Sequence, residues 1–193
     1  MWIDFRAIRD AFMRDRQSDY FENSRQATYM QQQYAIRNPN DFVGYGENCW
    51  GFTACDGPGW VKRKVNGVER EFFDYIARGA PYGPDDGTVA PWVVIASLPF
   101  APEIVIPRVC NFAQMRLGMG RLYGFKPSFN QSFAVPDSPT GYWISPYHFG
   151  IDQGPVVLMI ENYRSGLLWN IIRRCLPIVN GLRRAGFTGG WLD

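Results

Sequence analysis

Histidine is almost missing from this chain: among 193 residues only His148 is one. The four cysteines, Cys49, Cys55, Cys110 and Cys175, include no C-x-x-C pair. A zinc site and a dithiol redox pair both need ligand spacings that are absent, so no metal or cofactor is expected. The cysteines read instead as small hydrophobes of the interior, since a chain of this length can bury a core without disulfides. Charge of one sign is lacking too: 20 Lys and Arg against 18 Asp and Glu leave a formal charge of +2. That is neither the basic excess of a nucleic-acid binder nor the polar profile of a disordered chain. The longest uncharged apolar stretch, Gly87 to Pro102, is cut by Pro91 and Pro99. It falls short of the ~20 apolar residues of a membrane helix, so no membrane span is expected. The opening MWIDFRAIRD mixes charge with apolar residues and has no signal-type apolar region, so it states no compartment. No GxSxG elbow or Walker loop is present. The run Gly118-Met119-Gly120-Arg121-Leu122-Tyr123-Gly124 has the wrong last spacing for a dinucleotide fingerprint and no strand expected before it.

Glycine (20), proline (14) and aromatics (16%) are plentiful. Glycine and proline together reach about 18%, against about 12% in an average chain, which points to long ordered loops. Phe5, Ile8 and Phe12 recur at helical spacing, Ser18 or Asp19 can cap a second helix, and Asn38-Pro39 stops it. Asn66-Gly67 between Val-rich arms is a two-residue hairpin signal. A helix over Thr88 to Leu98 is expected, with Thr88 as cap and Pro91 in its first turn, and another from Pro102 to Leu117 with Pro107 inside. Residues 118 to 150 show no sustained period and read as one long loop. Pro155 then opens an apolar helix through VVLMIENYRSGLLWNIIRRC, and Pro177 restarts a short helix ending at Ala185-Gly186. Six helices in three hairpins, without βαβ alternation, exclude a Rossmann-like sheet.

Carboxylates recur beside glycines and aromatics: Glu47 near Trp50, Asp56 in CDGPG, Asp85-Asp86 beside Tyr82, and Asp152 after Trp143, Tyr147 and His148. Glycoside hydrolysis needs two carboxyl groups, one to protonate the leaving oxygen and one to activate water or attack the sugar. Aromatic faces are what pyranose rings stack on. The competing reading of each acid is a turn or cap residue, because Asp-Gly favours turns and Asp152 precedes a helix start. Glu161 lies inside an apolar run and is expected to be buried and paired with Arg164 at i+3, as a structural ion pair or a site acid. His148 reads as a loop residue able to bond a ligand hydroxyl. The pairs Arg173-Arg174 and Arg183-Arg184 sit at helix C-termini, where they complement the dipole on a solvated face.

Several long strings carry a resemblance: YGENCWGFTACDGPG (45 to 59), YIARGAPYGPDDGTVAPWVVIASLPFAPE (75 to 103), YGFKPSFN (123 to 130), GIDQGPVVLMIENYRSGLLW (150 to 169) and the terminal GLRRAGFTGGW. Over nearly its whole length the chain resembles the bacterial glycoamylase-like family. The resemblance implies a mainly α fold, an α/α-toroid of helical hairpins around a carbohydrate-binding centre, with endo-β-1,2-glucanases and cyclic β-1,2-glucan synthase processing regions among its members. Because the first residues resemble the middle of the family domain, residues 1 to 193 would form the C-terminal half of such a toroid, and Met1 would be an internal methionine. At least one site acid would then lie in the missing N-terminal half, and self-association is the alternative cover. The resemblance implies an oligo- or polysaccharide partner, β-1,2-glucan in the first instance, and a periplasmic or secreted parent. Carried over by position, the family acids fall on Glu47, Asp56, Asp85, Asp152 and Glu161, with Trp50, Tyr82 and Trp143 facing sugar. Asp152 is the expected catalytic base and Glu47 the second catalytic candidate, as proton donor or substrate ligand. A non-catalytic carbohydrate-binding half-domain is the alternative. The loops 44 to 59, 81 to 87 and 141 to 154 are expected to gather at one end.

Overall fold

The computed structural model describes residues 2–115, 117 and 123–193, so residues 118 to 122 of the rejected fingerprint (118 to 124) and the start at Met1 lie outside the described residues. Asp10 caps α1 (Ala11–Asp15), its side chain accepting from the Met13 amide at 2.9 Å. This helix is shorter than the spacing of Phe5, Ile8 and Phe12 promised. Ile8 is fully buried in an extended segment that bridges Arg9 to Thr188, so long-range pairing overrides the local period. Asp19 caps α2 (Tyr20–Arg37) through the Glu22 amide at 2.8 Å. Asn38 ends it in the left-handed region, where Asn is tolerated.

Among the described residues there are three small antiparallel sheets rather than one hairpin. β1 (Ala54–Cys55) pairs with β4 (Ile76–Ala77). β2 (Val61–Val65) and β3 (Val68–Phe72) are joined by Asn66 and Gly67, both at positive φ (51° and 82°), the primed turn that Asn-Gly favours. β5 (Thr88–Val89), β6 (Phe129–Ala134) and β7 (Tyr142–Ile144) form the third sheet. Two expectations fail there. Thr88 is not a helix cap but a fully buried strand residue opposite Asn130. The stretch read as one loop holds β6 and β7, whose partners are distant in sequence and whose burial does not alternate cleanly.

α3 (Pro91–Ala96) starts with proline at its first position, and α4 (Pro102–Gln114) repeats the device with Pro107 inside. The single apolar helix expected after Pro155 is two helices. α5 begins earlier (Gly150–Ser165), with Pro155 within it, and Gly166 at φ 68° breaks the run before α6 (Leu167–Arg173). α7 (Leu176–Arg184) closes the series, seven helices among the described residues.

The main core gathers Tyr34 of α2, Trp50 and Phe52 of the following loop, Val89 of β5, Val94 of α3, Val105 and Phe112 of α4, and Phe129 of β6. α5 packs across α3 with Asp152, Met159 and Asn162 on its buried stripe. A second cluster, Ile8, Val179, Leu182 and Leu192, joins the two ends of the chain. All four cysteines are free thiols. Cys49 and Cys55 are interior, and burial pushes each thiol up to about 12, but Cys110 is exposed and Cys175 half-buried.

Candidate active site

Asp56 is where three loops meet. Ser128, just before β6, donates its hydroxyl to Asp56 Oδ1 at 2.6 Å and lies 2.9 Å from the Asp56 carbonyl. Ser145, just after β7, donates to Asp56 Oδ2. The two serines face each other at the end of the third sheet, the Ser145 amide donating to the Ser128 carbonyl at 3.0 Å. Antiparallel pairing thus presents two hydroxyls to one carboxylate that is only 7% exposed. The Tyr45 hydroxyl in turn donates to Asp85 at 2.6 Å, so loop 44–59 is bonded to both loop 81–87 and loop 141–154.

Asp152 completes the site from the first turn of α5, also 7% exposed. Burial, with the negative charge of Asp56 added, pushes its carboxyl up to about 6. The cap reading of this residue does not fit: Phe149 holds the N-cap position and makes no side-chain cap bond, and Asp152 lies inside the helix. A carboxyl with these properties takes and releases a proton near neutral pH. Tyr147 and Phe149, a few residues before it, are exposed, their rings 5.7 Å apart. Gln153 donates to the Phe125 carbonyl at 3.2 Å and fixes the helix start against the chain before β6.

Beneath Asp56 lies a buried ion pair that sequence reasoning passed over. Arg78 and Asp86 are 4% and 0% exposed, joined by two bonds of 2.8 Å. Burial alone would lower the Arg78 guanidinium, but the hydrogen bond and charge of Asp86 outweigh it and raise it. Arg78 also donates to the carbonyls of Cys55 (2.6 Å), Phe73 (3.2 Å) and Asp74 (3.1 Å). Asp86 accepts from the amides of Phe73 and Thr88 at 3.0 and 3.1 Å. Gly57 leaves room for this pair, because a Cβ there would stand 2.2 Å from Arg78 Nη2 and 2.3 Å from the Phe73 carbonyl.

The other candidates are scattered. Asp85 accepts from Tyr34 (2.8 Å), Tyr45 and the Gly87 amide, so it braces the loop; burial, with the Asp85 bond and charge added, raises both phenols. Trp50 is 1% exposed inside the core and offers no face to a sugar. Trp143 is half-buried against Val65, Phe72 and Phe133. Tyr82 is 98% exposed, and His148 is half-buried beside the Tyr123 ring. Glu47 is exposed on the turn that Gln32 binds through the Glu47 carbonyl. Glu161 does meet Arg164 (3.4 Å) and Ser165 (2.7 Å), but it is half-exposed rather than buried. Nine residues separate it from Asp152, ~14 Å along the helix. Arg173 likewise leaves the expected solvated face, because it pairs with Asp4, which is fully buried. The two serines carried no signal: serine is common in loops, and only the sheet register brings them together.

Comparison with known proteins adds the following. The family model described as "Glycoamylase: Putative glucoamylase" matches residues 1–176. An exo β-1,2-glucooligosaccharide sophorohydrolase of Parabacteroides distasonis is 33% identical over 171 residues, covering 88% of this chain and 21% of its own. A solved "putative glucoamylase" of Bacteroides uniformis superposes with TM-score 0.76 at 35% identity, over 99% of this chain and 40% of that one. An endo-β-1,2-glucanase of Chitinophaga pinensis, solved with sophorotriose and glucose, gives TM-score 0.69 at 27% identity, over 96% of this chain and 38% of that one. The chain therefore spans about a fifth of the curated relative's length and about two fifths of these structures.

Proposed function

The chain belongs to the glycoamylase-like family, and on that premise we propose that it is part of a glycoside hydrolase acting on β-linked glucan, β-1,2-glucan in the first instance. The supporting names belong to relatives: a sophorohydrolase and an endo-β-1,2-glucanase. The observation that carries the reading is the buried pair of carboxylates, Asp152 lifted to about 6 by burial and by Asp56.

In this reading Asp152 is the general base that takes a proton from the attacking water. Its raised affinity for a proton makes it a stronger base than an ordinary aspartate. Asp56, fixed by Ser128 and Ser145, supplies the charge that keeps that affinity high. Glu47, exposed on the rim of the same loop, is the proposed proton donor or substrate ligand, and Tyr147, Phe149 and Tyr82 are the exposed rings at the loop ends. The seven helices would form about half of an α/α-toroid. Exposed apolar residues on α5, α6 and α7 support a further element against them.

The test is Asp152→Asn, assayed on β-1,2-gluco-oligosaccharides in the protein that carries this chain. A loss of ~10²–10⁴ in kcat with substrate binding retained is expected. Wild-type turnover in that variant would end the catalytic assignment.

A further inference from the structure

Trp60 is 66% exposed, in a position that makes so large a ring unusual as mere surface. It sits where CDGPG runs into β2, four residues after Asp56, so the two Cα atoms are at most ~14 Å apart. Its ring meets Phe73 edge-on, with centroids 5.4 Å apart and an interplanar angle of 67°, leaving a face open to solvent. Tyr75, two residues beyond Phe73, is equally exposed at 66%.

The backbone under this ring is held as firmly as the site. The Gly59 amide donates to the Phe73 carbonyl at 3.2 Å, and Arg78 donates to the same carbonyl at 3.2 Å. The Phe73 amide donates to Asp86 at 3.0 Å. Arg78 also holds the Cys55 carbonyl, next to Asp56. One buried ion pair therefore fixes both the carboxylate loop and the exposed indole. A flat apolar face, preorganised beside a site for sugar chemistry, suits the C–H face of a pyranose ring and costs little side-chain entropy to use.

We propose that Trp60, backed by Phe73, is a stacking platform for a glucose unit of the glucan chain remote from the bond that is cleaved. This rests on the reading of the site as a β-glucan hydrolase centre. The platform makes affinity grow with chain length, whereas a unit bound at Asp152 and Asp56 alone is blind to it.

The experiment is calorimetric titration of a β-1,2-linked dimer and a hexamer into the protein that carries this chain, with Asp152→Asn throughout so that the sugars are bound but not cleaved, comparing wild type at position 60 with Trp60→Ala and Trp60→Tyr. Substitution at an exposed ring leaves the fold intact, which a melting curve checks. Trp60→Ala is expected to weaken the hexamer about tenfold and leave the dimer unchanged, with Trp60→Tyr recovering most of the loss. In protein labelled with fluorotryptophan, the resonance missing from Trp60→Tyr should shift with hexamer and not with dimer. Equal weakening of both sugars, or of neither, overturns the platform while leaving the hydrolase reading in place. A Trp60 resonance shielded from a soluble paramagnet before sugar is added overturns it too, because another part of the protein then covers the ring. Binding of neither sugar when position 60 is wild type overturns both readings.

Discussion

A carboxyl group that must ionise inside a protein costs stability, and Asp152 allows that cost to be measured. Its folded-state value of about 6 stands above the ordinary aspartate value near 4, so between these two the folded chain binds more protons than the unfolded one. Stability then falls as pH rises through that window, and the full penalty is present above about 6. Two pKa units correspond to an upper figure of ~3 kcal/mol at neutral pH. Asp152→Asn is expected to raise the melting temperature at pH 7 and to flatten the pH dependence between 4 and 6, while removing turnover. A helix cap would behave oppositely, losing ~1 kcal/mol. Asp4 gives the contrasting case. Burial alone would raise its carboxyl, but the hydrogen bonds and charge of Arg6, with the charge of Arg173, hold it below the usual range. Its contribution is present above about pH 4 and is lost as pH falls further. Asp4→Asn should cost about 1–3 kcal/mol at pH 7, read by denaturant titration, because Arg6 and Arg173 lose the charge of their buried partner.

At the scale of elements, the site depends on how a loop and a sheet end are locked together. Gly57 lies between the Arg78 guanidinium and the Phe73 carbonyl, and a methyl group at that point collides with both. Gly57→Ala should therefore displace Asp56 from Ser128 and Ser145 and lose activity along with stability. Gly59→Ala, also in the loop but with open space around its Cβ, separates the effects: its cost is backbone strain at φ 116° alone. Comparing the two by melting curve and by kcat on gluco-oligosaccharides checks this, with the larger loss of rate at Gly57. The third sheet matters for the same reason. Asn130 accepts from the amides of Ser132 and Phe133 at 2.9 and 3.1 Å across the irregular stretch of β6 and donates to the Asp86 carbonyl at 2.9 Å. It ties the sheet that carries the serines to the loop that carries the ion pair.

For the molecule as a whole, the notable feature is what its last helices leave uncovered. Ile151 (82%), Val157 (64%), Leu167 (47%), Ile171 (54%) and Leu176 (70%) are exposed along α5, α6 and α7. Monomeric proteins seldom present contiguous apolar patches beyond a few hundred Å². The 193-residue chain on its own is expected to self-associate, with sedimentation showing species above the monomer. Val157→Lys with Ile171→Lys should return it to a monomer without loss of helix content. A monodisperse wild-type monomer would argue against a half-toroid whose inner face awaits a partner.

Local chemistry was legible wherever a residue's conformation decides the matter. Asn66-Gly67 specified the primed hairpin turn, Ser18-Asp19 bracketed the start of α2, and Pro102 marked the start of α4, because φ restriction and capping act within a few residues, whereas the start of α3 was set too early at Thr88. Long family strings also marked Asp56 and Asp152 among the candidate acids. What only the tertiary structure decided was which acids meet. Asp85 and Glu161 came with them from the same family strings, yet one braces tyrosines and the other sits half-exposed on α5. Ser128 and Ser145 reach Asp56 only through the pairing of β6 with β7, a register that local pattern does not encode. The shift of Asp152 has the same origin. Burial and a second charge are properties of its surroundings, and those come from residues nearly a hundred positions away in the chain.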